Sequence, residues 1–238
     1  MNHKVVSFYG NDLPKEIITL QKRVFDFFKI DVCQIPFKDD LNADRHACAM
    51  EEYLSSNNDW DSITLFDIDC IPISNDCIIK AIDIIKDNGT LYGNVQASNV
   101  FDINPHKTPP FAAPNFLNFT KKFWEESTCK NFKFTHYPNP EGYLTEVDVA
   151  EMFTRENEKQ GKKIILAYPT KCYSDLTWKY DGSFGYPKFS LGNGTEFESG
   201  TFHNYQIRIP DKRVYFIKKC KELLGETFNI EDYIHILR

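Results

Sequence analysis

The sequence predicts an α/β fold: a mostly parallel sheet flanked by helices, continued by a loop-rich second half and a C-terminal helical tail. Three observations lead there. From Lys4 to Val95, short apolar runs alternate with segments whose apolar residues recur at helical spacing, the signature of a doubly wound parallel sheet. One run, Ile63-Thr64-Leu65-Phe66, is nearly uninterrupted, as suits a central strand buried on both faces. And 238 residues with 42% hydrophobic content suffice for one sizeable core and read as one domain over 1–238.

Residues 4–9 form the first expected strand, closed by Gly10-Asn11-Asp12. Asp12 is placed to cap the next helix, and Pro14 is tolerated in its first turn. Ile17, Leu20, Val24, Phe27 and Phe28 carry that helix to about Ile30. Residues 31–37 are a second strand. A second helix spans about Ala43 to Ser55, with Ala47, Met50 and Leu54 inward and Asp44, Arg45 and His46 in its first turn. The strand at 63–66 follows, then a third helix capped by Ser74, striped by Ile78, Ile82 and Ile85 and ended by Gly89. Residues 90–95 are the next strand.

Beyond residue 100 the alternation loosens. Prolines make 104–110 a loop. Phe111 to Phe116 leads into a short helix over about Thr120–Glu126, with Phe123 and Trp124 buried. Residues 128–142 read as a loop, and Thr145-Glu146-Val147-Asp148 opens a helix to about Gln160, before a strand at 163–168. The stretch 173–200, rich in Gly and aromatics, reads as a long loop, either packed or hinged to close over a site. Residues 201–207 alternate like a half-buried strand. The tail has helical spacing at Val214, Ile217 and Leu224. It is locally basic through Lys212, Arg213, Lys218, Lys219 and Lys221, which suits a solvated face or, less simply, a peripheral contact with anionic lipid.

A formal charge of −6 argues against a general nucleic-acid binder. Seven cysteines without CxxC or Cys/His metal spacing read as reduced thiols, and neither a signal peptide nor a membrane-length apolar run is visible. The expected location is therefore cytoplasmic. The sequons at Asn118 and Asn193 are read as chance.

The chemistry concentrates at Asp67-Ile68-Asp69. Two carboxylates inside an apolar strand would cost several kcal/mol unless paired, hydrogen-bonded or bound to a cation. Placing them where the strand ends, facing a crevice outside its carboxyl edge, avoids that cost. There, hard oxygen ligands suit Mg2+ or Mn2+, and the ion in turn suits a diphosphate. Asp59-Trp60-Asp61 has the same spacing, but its polar surroundings read as solvated.

An apolar strand running into Asp-x-Asp with apolar residues resuming at once, within an α/β chain, resembles the nucleotide-sugar glycosyltransferases of the GT-A fold over roughly residues 4–205. The resemblance implies Asp69 as a direct metal ligand and Asp67 on the ribose or a metal-bound water. His203 has the place of a late third ligand, although a lone histidine on a strand is as often structural. It implies a nucleoside-diphosphate sugar donor held by about residues 1–100, with Phe8, Tyr9, Gly10 and Pro36 to Lys38 on the donor side. A glycan or glycolipid acceptor is implied for about 101–208, where the small Ala112 and Ala113 either leave room or pack closely. Arg45 could reach a donor phosphate or simply be a solvated helix end. Asp148, with Glu146 in reserve, matches the general base of an inverting enzyme. Against that, Thr145-x-x-Asp148 resembles a capping box, and a helix start would hold the Asp148 pKa down. Rival readings are a haloacid-dehalogenase-type phosphatase, a nucleotidyltransferase and a non-catalytic nucleotide-sugar binder.

Overall fold

The computed structural model describes residues 1–38, 44–97, 108–133, 135–138, 144–174 and 177–237, with 135–138, 144–147 and 177 as backbone alone. The first half follows the alternation in the sequence: β1 (His3–Gly10), α1 (Lys15–Phe27), β2 (Val32–Phe37), α2 (Asp44–Ser56), β3 (Ser62–Asp67), β4 (Cys70–Pro72), α3 (Cys77–Ile85) and β5 (Thr90–Gln96). Then come β6 (Phe111–Thr120), α4 (Lys121–Glu126), β7 (Thr135–Pro138), β8 (Leu144–Val147), α5 (Glu151–Lys159) and β9 (Lys163–Ala167). The chain continues through β10 (Pro169–Cys172), β11 (Thr177–Tyr180), β12 (Phe189–Gly192), β13 (Gly194–Phe197), β14 (Thr201–Asn204) and α6 (Arg213–Leu223).

Six strands form the main sheet in the order β2-β1-β3-β6-β5-β9. Its strands are parallel except β6, which runs antiparallel to both β3 and β5. The sheet is thus mostly parallel but not purely doubly wound. Period-2 alternation sends neighbouring side chains to opposite faces. Val5 and Phe66 join α1, α3 and α6 in one core cluster, while Val6, Phe8, Ile63 and Leu65 join α2, α4 and α5 in another. The helices therefore cover both faces, as a parallel sheet requires.

Several local expectations change. Residues 111–116 do lead to the expected short helix, α4 with Phe123 and Trp124 buried, but as the start of β6, whose ten residues are all buried. Ala112 and Ala113 serve close packing: a side chain on Gly93 would come within 2.8 Å of the Phe116 carbonyl and 3.0 Å of the Ala112 methyl. Asp12 does not cap α1, where Pro14 stands at the N-cap; Ser74 Oγ accepts the Asp76 N–H at 3.4 Å just before α3, whose own N-cap is Asp76. The buried stripe of α3 is Cys77, Ala81 and Ile85. Thr145 lies on β8, paired with Tyr137, so it cannot cap α5, which begins only at Glu151.

The aromatic stretch at 173–200 is mostly strand. β11 and β12 pair as a hairpin, with Tyr180 stacked on Phe189 at 5.1 Å in a satellite core with Leu191 and Phe197. Gly194 is there for packing, since a side chain would meet the Phe202 ring at 2.9 Å, and Gly200 turns the chain at φ +76°. β14 is wholly buried rather than half-buried. Residues 104–107 of one expected loop, and 134 and 139–142 of the loop expected at 128–142, lie outside the described residues; within the latter, 135–138 form β7 rather than loop.

In the tail, Lys219 is buried between Glu196 and Glu222 at 2.9 Å from each, and Lys221 pairs with Glu226 at 2.6 Å. The basic stretch is thus largely neutralised by its own neighbours. No described helix is long and apolar enough to cross a membrane. Asn118 and Asn193, the two sequon asparagines, are buried.

Candidate metal centre

The sheet order puts β2 on one side of β1 and β3 on the other. Consecutive connections diverge there, and a crevice opens beyond the carboxyl ends of the strands. Phe8 of β1 pairs with Asp67 of β3, so the end of β1 and the Asp67 turn form the crevice walls. A cleft of about 330 Å3 lies there, with Tyr9, Gly10, Asp67, Asp69, Asp148 and His203 on its lining. Phe8 reaches it from the core, being 2% exposed.

Asp67 is the last residue of β3, and Asp69 sits in the turn to β4. β4 leaves the main sheet and pairs antiparallel with β14, His203 opposite Cys70. That register brings two distant segments together: His203 Nε2 lies 3.1 Å from Asp69 Oδ1, and the Asn204 N–H donates to the Asp69 carbonyl at 2.9 Å. The buried Gln21 of α1 holds the turn from behind. Its Nε2 donates to the carbonyls of Asp67 at 2.9 Å and Cys70 at 3.0 Å. Gln34 Nε2 donates to Gln21 Oε1 and fixes that amide.

One ligand atom from each of Asp67, Asp69 and His203 lies within 4.8 Å of the others. Burial pushes the Asp67 pKa up; His46 opposes this and the Asp69 charge adds to it. The Asp67 Oδ1 and His46 Nε2 atoms approach to 3.1 Å but are not aligned, so each is left without a hydrogen bond. The His46 ring stacks on Phe37 at 5.4 Å and 12°. An under-coordinated carboxylate oxygen beside a second carboxylate and an imidazole is a donor set that fits Mg2+ or Mn2+. Adjacent ligand atoms of an octahedral site with bonds of about 2.1 Å are about 3 Å apart, and Asp69 Oδ1 and His203 Nε2 match that spacing. These residues would hold the ion.

Asp148 faces the same cleft from the entry to α5. The Gln96 Nε2 donates to its Oδ2 at 2.7 Å and the Val149 N–H to its Oδ1 at 2.8 Å. Its own N–H donates to Glu151 Oε2 at 2.9 Å, so Glu151, buried and paired with Arg155, reaches back across the helix start. The Asp148 pKa is pushed up to about 7, chiefly by burial, with Glu151 and Asp67 adding to the rise. The expected lowering by a helix start fails because the helix begins three residues later and desolvation outweighs the two hydrogen bonds.

The side chain of Glu146 lies outside the described residues. Arg45 is not brought to this cleft; it lines a neighbouring depression with Pro36, Phe37 and Lys38. His46, Gln96, Asn115 and Arg208 were not singled out from the sequence. The visible signal was a polar residue set in an apolar strand, as with Gly93-Asn94-Val95 and Pro114-Asn115-Phe116. A buried amide there must find hydrogen-bond partners.

No known family matches the sequence, and no curated protein matches it. Among solved structures the chain is similar to one described as "Crystal Structure of A197 from STIV", at 10% identity and a TM-score of 0.44 over 86% of this chain and 94% of that one. That likeness is too slight to transfer fold or function.

Proposed function

We propose that this protein is a metal-dependent glycosyltransferase of the GT-A type, moving a sugar from a nucleoside-diphosphate sugar to a hydroxyl of a glycan or glycolipid. The observation that carries this reading is the convergence of Asp67, Asp69 and His203 on one cleft, with an Asp67 oxygen left without a hydrogen bond. When bound, a divalent ion supplies Lewis-acid stabilisation of the charge on a departing diphosphate. The chain supplies the rest. Tyr9 and Gly10 offer a wall at the end of β1 for the nucleoside. Arg208 lines the same cleft, and its charge is felt at Asp67. Asp148, with a pKa near neutrality, suits the removal of a proton from an acceptor hydroxyl. This arrangement favours inversion at the anomeric carbon.

The test is a thermal-shift panel of nucleoside-diphosphate sugars with Mn2+ and with EDTA, followed by an assay for released nucleoside diphosphate. Ligand binding raises apparent stability by mass action, so one donor should stabilise the protein only with the ion present. Equal stabilisation in EDTA, or none with any donor, would count against the proposal.

A further inference from the structure

We infer that the buried amides of Asn94 and Asn115 form a reversible hydrogen-bond relay that sets which nitrogen of His203 carries the proton, and so whether Nε2 can accept a divalent cation. The inference rests on the metal-centre reading above and deepens it.

The chain of contacts runs inward from the cleft. His203 Nε2 meets Asp69 Oδ1 at 3.1 Å, and His203 Nδ1 meets Asn115 Nδ2 at 3.3 Å. Asn94 Nδ2 donates to Asn115 Oδ1 at 2.9 Å and to Thr201 Oγ1 at 3.0 Å. Ser199 Oγ donates to Asn94 Oδ1 at 2.7 Å and lies 2.8 Å from Thr201 Oγ1. Asn94, Asn115, Ser199 and Thr201 are fully buried and His203 nearly so. At such depth a donor or acceptor left unpaired is costly.

That cost ties the tautomer of His203 to the orientation of the two amides. With Asn115 Nδ2 donating, His203 Nδ1 must accept, and the ring proton sits on Nε2, donated to Asp69. This pattern gives both His203 nitrogens a partner without a cation, but it denies a cation the Nε2 lone pair. Exchanging oxygen and nitrogen on both amides gives a second pattern that also pairs both His203 nitrogens over the same heavy-atom positions once a cation takes Nε2. His203 Nδ1–H then donates to Asn115 Oδ1, Asn115 Nδ2 donates to Asn94 Oδ1, and Asn94 Nδ2 donates to Ser199 Oγ. The reversal is feasible because the chain ends in two hydroxyls, and a hydroxyl can either donate or accept. The proton released from Nε2 is matched by one taken at Nδ1, so the imidazole stays neutral. Positive charge beside Asp69 disfavours a proton on Nε2 and selects the second pattern. The edge-on Tyr205 ring, 4.1 Å from the imidazole at 72°, holds the ring plane in both. Asn115 and Asn94 are positioning residues: neither lines the cleft.

The full chain, labelled with 15N, gives the direct test. In EDTA at pH 8, the His203 signals, assigned by their loss in His203→Gln, should show the proton on Nε2; with saturating Mg2+ they should show it on Nδ1. Mn2+ affinity, read by electron paramagnetic resonance, should weaken about 10–100-fold in Asn115→Leu, as for other outer-shell partners of a ligating histidine. Affinity should instead tighten in Asn115→Asp, whose carboxylate only accepts and therefore fixes Nδ1–H. Asn94→Asp, acting one residue further away, should tighten it less. An asparagine with a merely structural role would lose affinity in both Asn115 variants or in neither. Finding the proton on Nδ1 already in EDTA would overturn the relay and leave the metal centre standing. Wild-type protein that binds no Mn2+ would remove the relay and the metal-centre reading together.

Discussion

Two Asp-x-Asp pairs stand at opposite ends of β3, and they share spacing but little else. At the amino end, Asp59 and Asp61 are 88% and 62% exposed. Asp59 meets Lys4 at 3.3 Å, and Asp61 accepts the Asn2 N–H at 2.6 Å. At the carboxyl end, Asp67 and Asp69 are 22% and 10% exposed and face His46 and His203 across a cleft. Spacing brings carboxylates near one another; burial decides whether water or something else must balance their charge. In one place solvent does so, and in the other the fold leaves an oxygen unsatisfied.

The sharpest way to break the contrast is to neutralise one buried carboxylate. Asp69→Asn should abolish detectable Mn2+ binding and turnover, a loss beyond the roughly 100-fold ceiling expected for outer-shell changes. Asp67→Asn should also weaken Mn2+ binding, yet raise the melting temperature in EDTA, because it removes a buried charge whose ionisation burial opposes. Calorimetric titration and melting of the same samples would read both. A melting temperature that falls in EDTA would mean the pair is already balanced within the protein.

Asp148 sharpens the contrast from within the cleft, since it is buried like Asp67 but accepts hydrogen bonds from the Gln96 amide and the Val149 N–H. Asp148→Asn should cut turnover by roughly 10²–10⁴-fold, the usual contribution of a general base, and leave Mn2+ affinity within about twofold. Loss of metal binding in that variant would move Asp148 into the metal site instead.

The pH dependence follows from the same residue. A base with a pKa of about 7 is protonated below that value, so turnover should rise about tenfold per pH unit on the acid side and level off above it. Asp148→Asn should flatten this limb. Stability runs the other way. The folded pKa is raised above the ordinary 3.8, so the folded state binds the proton more tightly than the unfolded chain. That contribution is full below about pH 3.8 and is lost as pH climbs through about 7. Melting in EDTA should therefore fall between pH 4 and 8, and less steeply in Asp148→Asn.

Much of this was legible in the sequence, and the failures have physical causes. Helical spacing placed α1, α2 and α3 and short apolar runs placed β1, β2, β3 and β5, whereas β4, three residues beyond Asp67, was not told apart from the strand before it. The pair Asp67 and Asp69 stood out against its apolar strand, and His203 by its place late in the chain. β6 was missed because Pro114, Asn115 and Asn118 interrupt its apolar run, and an apolar run does not encode its direction. The hairpin of β11 and β12 was hidden by glycines that suggest a loop but serve close contact. Thr145 looked like a cap because a capping pattern carries no record of β8 pairing with β7. Asp148's raised pKa is a tertiary effect: it depends on what Gln96, Glu151 and the cleft walls exclude.

The smallest expected effect lies at the exposed pair. Asp59→Asn and Asp61→Asn remove contacts with Lys4 and Asn2 in open solvent, where screening leaves a surface ion pair worth about 0–1 kcal/mol. Lys4 keeps its charge but is 38% exposed, so water replaces the lost carboxylate at little cost. Both variants should melt within about 2–4 °C of wild type, the shift that a change of up to 1 kcal/mol produces in a chain of this size. The difference for Asp59→Asn should shrink as salt is raised, because the Debye length falls from about 10 Å at 0.1 M to about 3 Å at 1 M. Mn2+ affinity should not change, since the pair lies at the far end of a six-residue strand from the cleft. A weaker Mn2+ site in either variant would show that β3 transmits charge or strain along its length, and that its two acidic ends are not independent.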